Sequence, residues 1–326
     1  MAEFLTHVDI PAPGFHIDYK STLLFMGSCF SDNIGSHMKA LKFNVCHNPF
    51  GVVYNPASLA NNLELLINKE QFTGDDLHYD NELWFSFSHY TLFSDPDKNN
   101  CLEKINRSFK AAKEHLTKTD IVLLTLGTSG AYQFKGSGKI VNNCHKLPAN
   151  KFKRIFLSAQ ETFEVLKNSI QKLRSFNPDV KIVLTVSPIR HRKDGAIENQ
   201  RSKAALIMAV SELVKKLEHI YYFPAYEIFM DELRDYRFYA SDMIHPSEMA
   251  IQYIWERFSK TFLSPETLNI VSDVEKINKS LQHRPRHQEI DSYKKFQTAL
   301  LKQIDSLTNR YPFIDFKEEV NRLLNI

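Results

Sequence analysis

The chain has only four cysteines in 326 residues, Cys29, Cys46, Cys101 and Cys144, and none sits at Cys-x-x-Cys spacing. That excludes a disulfide framework and points to reduced thiols in a cytoplasmic protein. It also argues against zinc, with no metal or other cofactor expected. Cys46-His47 and Cys144-His145 are adjacent pairs, which cannot easily both ligate one tetrahedral ion, and the usual ligand spacings are missing. No apolar run approaches the roughly 18 residues that a membrane span needs. Residues 1–4 lack the basic and apolar regions of a secretory leader. Charge of one sign is absent as well: 41 Lys and Arg stand against 38 Asp and Glu, a formal net of +3, which gives no footprint for nucleic acid. Internal repeats and low-complexity tracts are lacking. What remains is a chain 43% hydrophobic, able to bury a full core as one large domain or as one domain with an extension.

Short apolar runs alternate with amphipathic helices. Leu23-Leu24-Phe25-Met26 runs into Gly27-Ser28-Cys29, and a helical pattern follows to about Leu41. Ile121-Val122-Leu123-Leu124-Thr125-Leu126 is apolar on both faces, as central parallel strands are, and ends in Gly127-Thr128-Ser129-Gly130. Val180 to Val186 is a third strand, ending in Ser187-Pro188-Ile189-Arg190-His191; Ile220 to Phe223 is the last. Phe43 to Val45 predicts a short strand, and residues 48–56, with two prolines and a glycine, an ordered loop. Leu59, Leu63 and Leu66, then Ile105, Phe109 and Leu116, then Phe163, Leu166 and Ile170, then Leu206, Val210 and Leu213 mark helices between the strands. This order predicts an α/β domain with a parallel sheet and helices on both faces. Residues 71–100 break the rhythm and read as an inserted, lid-like block with a half-buried strand over residues 84–90; residues 131–150 read as a long loop. A helix over residues 247–263 closes the α/β domain, residues 1–264. Residues 265–326 carry only helical stripes, such as Tyr293, Phe296, Leu300, Ile304 and Leu307, and read as a helical extension with a break at Arg284-Pro285-Arg286. A lone amphipathic helix is marginal in water, so this stripe needs a partner: the α/β body or another subunit, the latter giving a homo-oligomer.

In an open α/β sheet, ligands sit at the carboxyl ends of the strands. Ser28 stands there, where a hydroxyl can act as nucleophile if a base takes its proton and an acid holds that base in the right tautomer. Asp242-x-x-His245, followed by Pro246, offers both in one loop. Donors for an oxyanion are expected from the Ser28 amide, Gly51, Thr128 and Ser129. Cys29 is the rival nucleophile, but the residue after such a serine is expected to point toward the sheet and pack there. Arg190 and His191, with His89 and His145, are candidates for binding an anionic or polar part of a substrate.

Together, Gly27-Ser28-Cys29-Phe30, Asn48-Pro49-Phe50-Gly51, Leu126-Gly127-Thr128-Ser129 and Asp242-x-x-His245-Pro246 resemble the GSCFA family of the SGNH/GDSL hydrolase superfamily, common in Bacteroidetes. The resemblance covers roughly residues 20–263. It implies a flavodoxin-like three-layer sandwich, Ser28 as nucleophile, Gly51 as a backbone donor, and Asp242 and His245 as orienting acid and base. Two departures stand out. Gly27 occupies the place of an aspartate in the first superfamily block, and Ser129 that of the asparagine in the third, Gly-x-Asn-Asp; Asn48 or Asn55 could compensate for the latter.

The reading that follows is a Ser-His-Asp hydrolase of a short acyl ester on a carbohydrate or similar polar small molecule, with no nucleic-acid or membrane partner. Acyl transfer to another acceptor uses the same residues. A catalytically weak binding or assembly protein on the same fold is the alternative of different class.

Overall fold

A computed structural model describes residues 6–282 and 291–324; the expected break at Arg284-Pro285-Arg286 lies outside them. The chain opens β1 (Thr22–Gly27), α1 (Cys29–Ala40), β2 (Asn44–His47), α2 (Pro56–Asn68), β3 (His78–Asp80), β4 (Leu83–Phe85), α3 (Lys98–Leu116) and β5 (Ile121–Leu126). It continues through β6 (Gly130–Phe134), β7 (Ile140–Val141), β8 (Phe152–Phe156), α4 (Ala159–Phe176), β9 (Lys181–Val186), α5 (Gly195–Lys216) and β10 (Ile220–Phe223). A short α6 (Ala225–Glu227) leads to α7 (Glu248–Phe262), and α8 (Pro265–Leu281), α9 (Asp291–Arg310) and α10 (Lys317–Leu324) complete the chain.

Five strands form the central sheet in the order β10-β9-β5-β1-β2, every neighbouring pair parallel. β1 and β5 are buried along their whole length, which is why their sequences are continuous apolar runs. Successive residues feed opposite layers, as the two-residue strand period requires. Leu23 and Phe25 join the layer built from α1, α7 and the C-terminal helices; Leu24 and Met26 join that of α2, α3, α4 and α5. This strand order reverses direction between β1 and β5, and a crevice at that switch point is where doubly wound folds bind ligands. Ser28 sits there, directly after β1.

Two stretches depart from the sequence expectation. Residues 131–150 are not one loop: β6 and β7, with β8, build a separate antiparallel sheet ordered β7-β6-β8. These strands are short and partly exposed, so they leave no apolar period to read. In the block over residues 71–100, only Leu83–Phe85 of the aromatic–polar alternation is strand, paired with β3. Beyond it the rings of Phe85 and Phe87 pack on His145 and Phe134, a satellite aromatic cluster that takes the place of the main core.

The C-terminal helices lie on the α1 and α7 face. Leu300, Ile304 and Leu307 share a core with Ile34, Met38, Trp255 and Phe258. Lys42 pairs with Glu319 at 2.6 Å and lies over the Phe316 ring; Asn278 donates to the Ala40 carbonyl. The apolar stripe of α9 therefore closes on the protein's own body. A chain ended at Leu263 would expose this core, at about 2 kcal/mol for each Leu or Ile uncovered. It is expected to aggregate or melt well below the full chain; a truncated protein with unchanged melting temperature and mass would overturn that.

Candidate active site

Gly27 ends β1 at φ +140, where a Cβ would stand 2.2 Å from the Thr125 carbonyl oxygen. The backbone passes β5 more closely than any side chain permits, so an aspartate has no room at this position. Ser28 follows as the N-cap of α1, and its side chain makes no capping bond. Its N–H donates to Thr125 O at 3.2 Å. The side chain is buried, and Oγ has no hydrogen-bond partner among the described residues. A hydroxyl exposed to a crevice was expected; here the strand-end loops close around it. Val53 N–H donates to Gly27 O, while Gly127 and Thr128 N–H both donate to Tyr54 O, at 2.8, 2.8 and 2.9 Å. Loop 48–54 is thereby stitched across the ends of β1 and β5.

Cys29 is half-exposed rather than packed in the core, because it occupies the first turn of α1 beside Tyr54. Burial and the Asp32 carboxylate push its thiol up, against the opposing pull of the Tyr54 hydroxyl. A thiol shifted that way is poorly ionised at neutral pH, which disfavours it as the nucleophile.

The Asp242–His245 pair is formed. His245 Nδ1 lies 2.6 Å from Asp242 Oδ2, and Asp242 Oδ1 accepts from the amides of Ile244 and His245, each at 2.9 Å. The His245 side chain and these amides hold the Asp242 carboxyl down at about 2. The loop is fixed by the Tyr239–Pro246 bridge and by Ala240 N–H donating to His245 O. Pro246, next to His245, lines a small cleft with Phe30 of α1 and with Pro188 and Ile189 after β9. Arg190 Nη1 donates to Tyr239 OH at 2.5 Å, tying the β9 loop to this one. Both members of the pair are half-exposed, and no hydrogen bond joins His245 to Ser28 Oγ.

The amides expected to face an oxyanion are engaged inside the protein. Ser28 N–H goes to Thr125 O, Gly51 N–H to Asn48 O and Thr128 N–H to Tyr54 O; Ser129 N–H goes to Ser202 Oγ at 2.7 Å. The Thr128 hydroxyl contacts Ser202 Oγ and accepts from Gly130 N–H. Asn48 is spent on Gly27 N–H and Asp32, and Asn55 caps α2. His191, by contrast, lies in the crevice. Its Nε2 and the Ser28 Cβ each lie 3.3 Å from the point where a Cβ on Gly127 would stand.

His89 and His145 lie away from that crevice. His89 is buried among Phe50, Phe72 and Phe93. His145 stacks on Phe85, its Nε2 3.0 Å from Ser86 O. Burial holds His89 down to about 3 and both His145 and His191 to about 4. In the unfolded chain each would take up a proton near pH 6.5. Their stabilising contribution is therefore present above that pH and is lost as pH falls toward 4. The urea midpoint should drop steeply between pH 6.5 and 4; a flat midpoint over that range would contradict the burial of these rings.

Three residues of α5 that sequence patterning missed hold the site from below. Asn199 Oδ1 accepts from His191 N–H at 3.0 Å, Ser202 holds the loop after β5, and Lys203, fully buried, donates to Gly127 O at 2.5 Å and to Ser187 O. Lys203 thus ties the end of β5 to the end of β9. Burial draws its ammonium down to about 7, yet the neutral amine still has two protons for two carbonyls. The signal was present: Asn199, Ser202 and Lys203 continue the buried stripe of Leu206, Val210 and Leu213 with polar residues. Buried polar groups on a core-facing stripe are held there by partners.

The profile described as the GSCFA family matches residues 22–258, and that described as the GSCFA domain protein, C-terminal domain, matches residues 274–325. Among curated proteins none matches the chain. Distantly similar solved structures include two esterases. A carbohydrate esterase family 3 protein from Talaromyces cellulolyticus aligns at 11% identity and TM-score 0.35, over 78% of this chain and 99% of its own. An acetyl xylan esterase from the rumen bacterium Butyrivibrio proteoclasticus aligns at 11% identity and TM-score 0.39, over 74% of this chain and 63% of its own.

Proposed function

The chain belongs to the GSCFA family, and from that premise we propose that it is a serine hydrolase of the SGNH type, cleaving a short acyl ester on a carbohydrate or other small polar molecule. The observation that carries this reading is Ser28: a buried hydroxyl with no partner among the described residues, at a helix N-terminus and at the sheet's switch point, in a chain that also forms an Asp242–His245 pair in the loop before α7. In the reaction, Ser28 Oγ attacks the ester carbonyl while His245 Nε2 takes its proton. The imidazolium, held by Asp242, returns that proton to the departing alcohol. Water then attacks the acyl-serine by the same route. Substrate entry closes the gap between His245 and Ser28, as catalytic contacts often tighten only in the complex. Arg190, already bonded to Tyr239 of the His245 loop, supplies a positive rim suited to polar or anionic groups. Transfer to an alcohol in place of water needs no further residue.

A second reading is a catalytically weak binding protein on this fold; the engagement of the expected oxyanion amides favours it. A fluorophosphonate probe and a panel of acetylated sugars and short-chain esters separate the two. The hydrolase reading expects covalent labelling at Ser28 and release of acid from at least one ester. Absence of both would leave the binding protein.

A further inference from the structure

An ester hydrolase needs donors aimed at the developing oxyanion, and here the amides of Ser28, Gly51, Thr128 and Ser129 are bonded to the protein itself. We propose that His191 fills this role as a catalytic residue, its neutral ring donating Nε2–H to the carbonyl oxygen as Ser28 attacks. The proposal rests on the serine-hydrolase reading above and assigns a role that the superfamily resemblance does not imply.

Position is the first argument. Across Gly127, His191 Nε2 and the Ser28 Cβ each lie 3.3 Å from one shared point, so the imidazole and the Ser28 side chain flank the same face of Gly127. The second argument is how the residue is held. Its backbone N–H is fixed by Asn199 Oδ1 at 3.0 Å, and its ring meets Tyr54 edge-on, with centroids 5.6 Å apart. No ring hydrogen bond to a described residue consumes Nε2. Lys203, which bonds the Gly127 and Ser187 carbonyls, fixes the loops on either side.

Charge supplies the third argument. Lys203 and Arg154 face the ring, and the one acid near it, Asp194, is spent on Arg154 at 2.6 Å. Burial and Lys203 hold the imidazole down to about 4, so the ring is a weak base, and in its Nε2–H tautomer the neutral ring is a hydrogen-bond donor. His245 has the opposite surroundings, half-exposed and paired with a carboxylate. Two histidines in such different environments divide the work, one as base and one as electrophile. In the attack, the Oγ–carbon bond forms, the carbonyl π pair moves to oxygen, the serine proton passes to His245, and His191 keeps its own. A side-chain donor here takes the place of the asparagine missing at Ser129.

The test compares His191→Ala with His191→Gln on an activated ester, with Ser28→Ala and probe labelling measured in parallel. His191→Ala should lower kcat by about 10²–10³-fold with KM within a few-fold, the loss typical of one oxyanion donor. His191→Gln retains an N–H donor and should recover at least about tenfold of that, with the acid limb of the pH profile unmoved in both. If His191→Ala does not fold, His191→Phe keeps the packing on Tyr54 without the donor and replaces it. Wild-type kcat in the donor-free variant overturns the proposal. So does a glutamine variant as inactive as the alanine one with its acid limb abolished, which would make His191 the base. In either case loss of activity in Ser28→Ala leaves the hydrolase reading standing. Full activity in Ser28→Ala without labelling overturns both.

Discussion

Ser28→Ala is expected to remove about four to six orders of magnitude from kcat on an activated ester and to leave the fold intact. The substitution deletes one oxygen. That oxygen is buried and makes no hydrogen bond to a described residue, so no internal partner is stranded by its loss, and an unsatisfied polar atom is removed from the interior. The melting temperature should stay level or rise while turnover collapses, a combination that a merely structural serine would not give. Cys29→Ala is the control. Its thiol is half-exposed and pushed up by burial, so the rate should stay within a few-fold of wild type. The reverse pattern, with Cys29→Ala inactive and Ser28→Ala still turning over, would move the nucleophile by one residue.

The second large effect belongs to the pair that serves the serine. His245→Ala should cost nearly as much as Ser28→Ala, because the two act as a unit. Asp242→Asn should cost about 10⁴-fold, since an amide can donate to Nδ1 and hold the imidazole in the wrong tautomer. Asp242 ionises at about 2, so its charge persists through any working pH. The acid limb of kcat/KM against pH is therefore not the titration of Asp242. The small contribution of this exposed carboxylate to stability is present above about pH 3.8 and fades as pH falls through about 2. An acid limb that disappears in Asp242→Asn while the rate survives would exclude this assignment.

Much of the sheet was legible because burial on both faces leaves no choice of residue. β1, β5, β9 and β10 are apolar runs of four to six residues, each of those four matching its expected strand to within a residue or two. A site at the carboxyl ends of the strands followed from the alternation of strands and helices, and Ser28 after β1 and His191 after β9 both stand at such ends. The rest was hidden for distinct reasons. The β6–β8 sheet is short and half-exposed, so its residues carry no period. Several of the expected oxyanion donors are backbone amides, and no sequence states which carbonyl an amide will choose: Gly51 looks free on paper and bonds Asn48 O at 2.7 Å. Lys203 lies on the buried stripe of α5, but which groups its ammonium meets is set only when the helix is docked, and there two carbonyls face it. Gly27 reads as a departure from a motif, and proves to be the residue that backbone crowding demands.

Loop 48–54 has a consequence for solvent exchange. Tyr54 O is a shared acceptor for the amides of Gly127 and Thr128, and Val53 N–H is held by Gly27 O. These three protons sit on two separate segments, yet one displacement of the loop releases them all. In deuterium they should exchange together, at a rate set by that opening and not by global unfolding. The same displacement uncovers the buried serine hydroxyl, so the exchange rate of these amides measures how often the crevice is open to a molecule from outside.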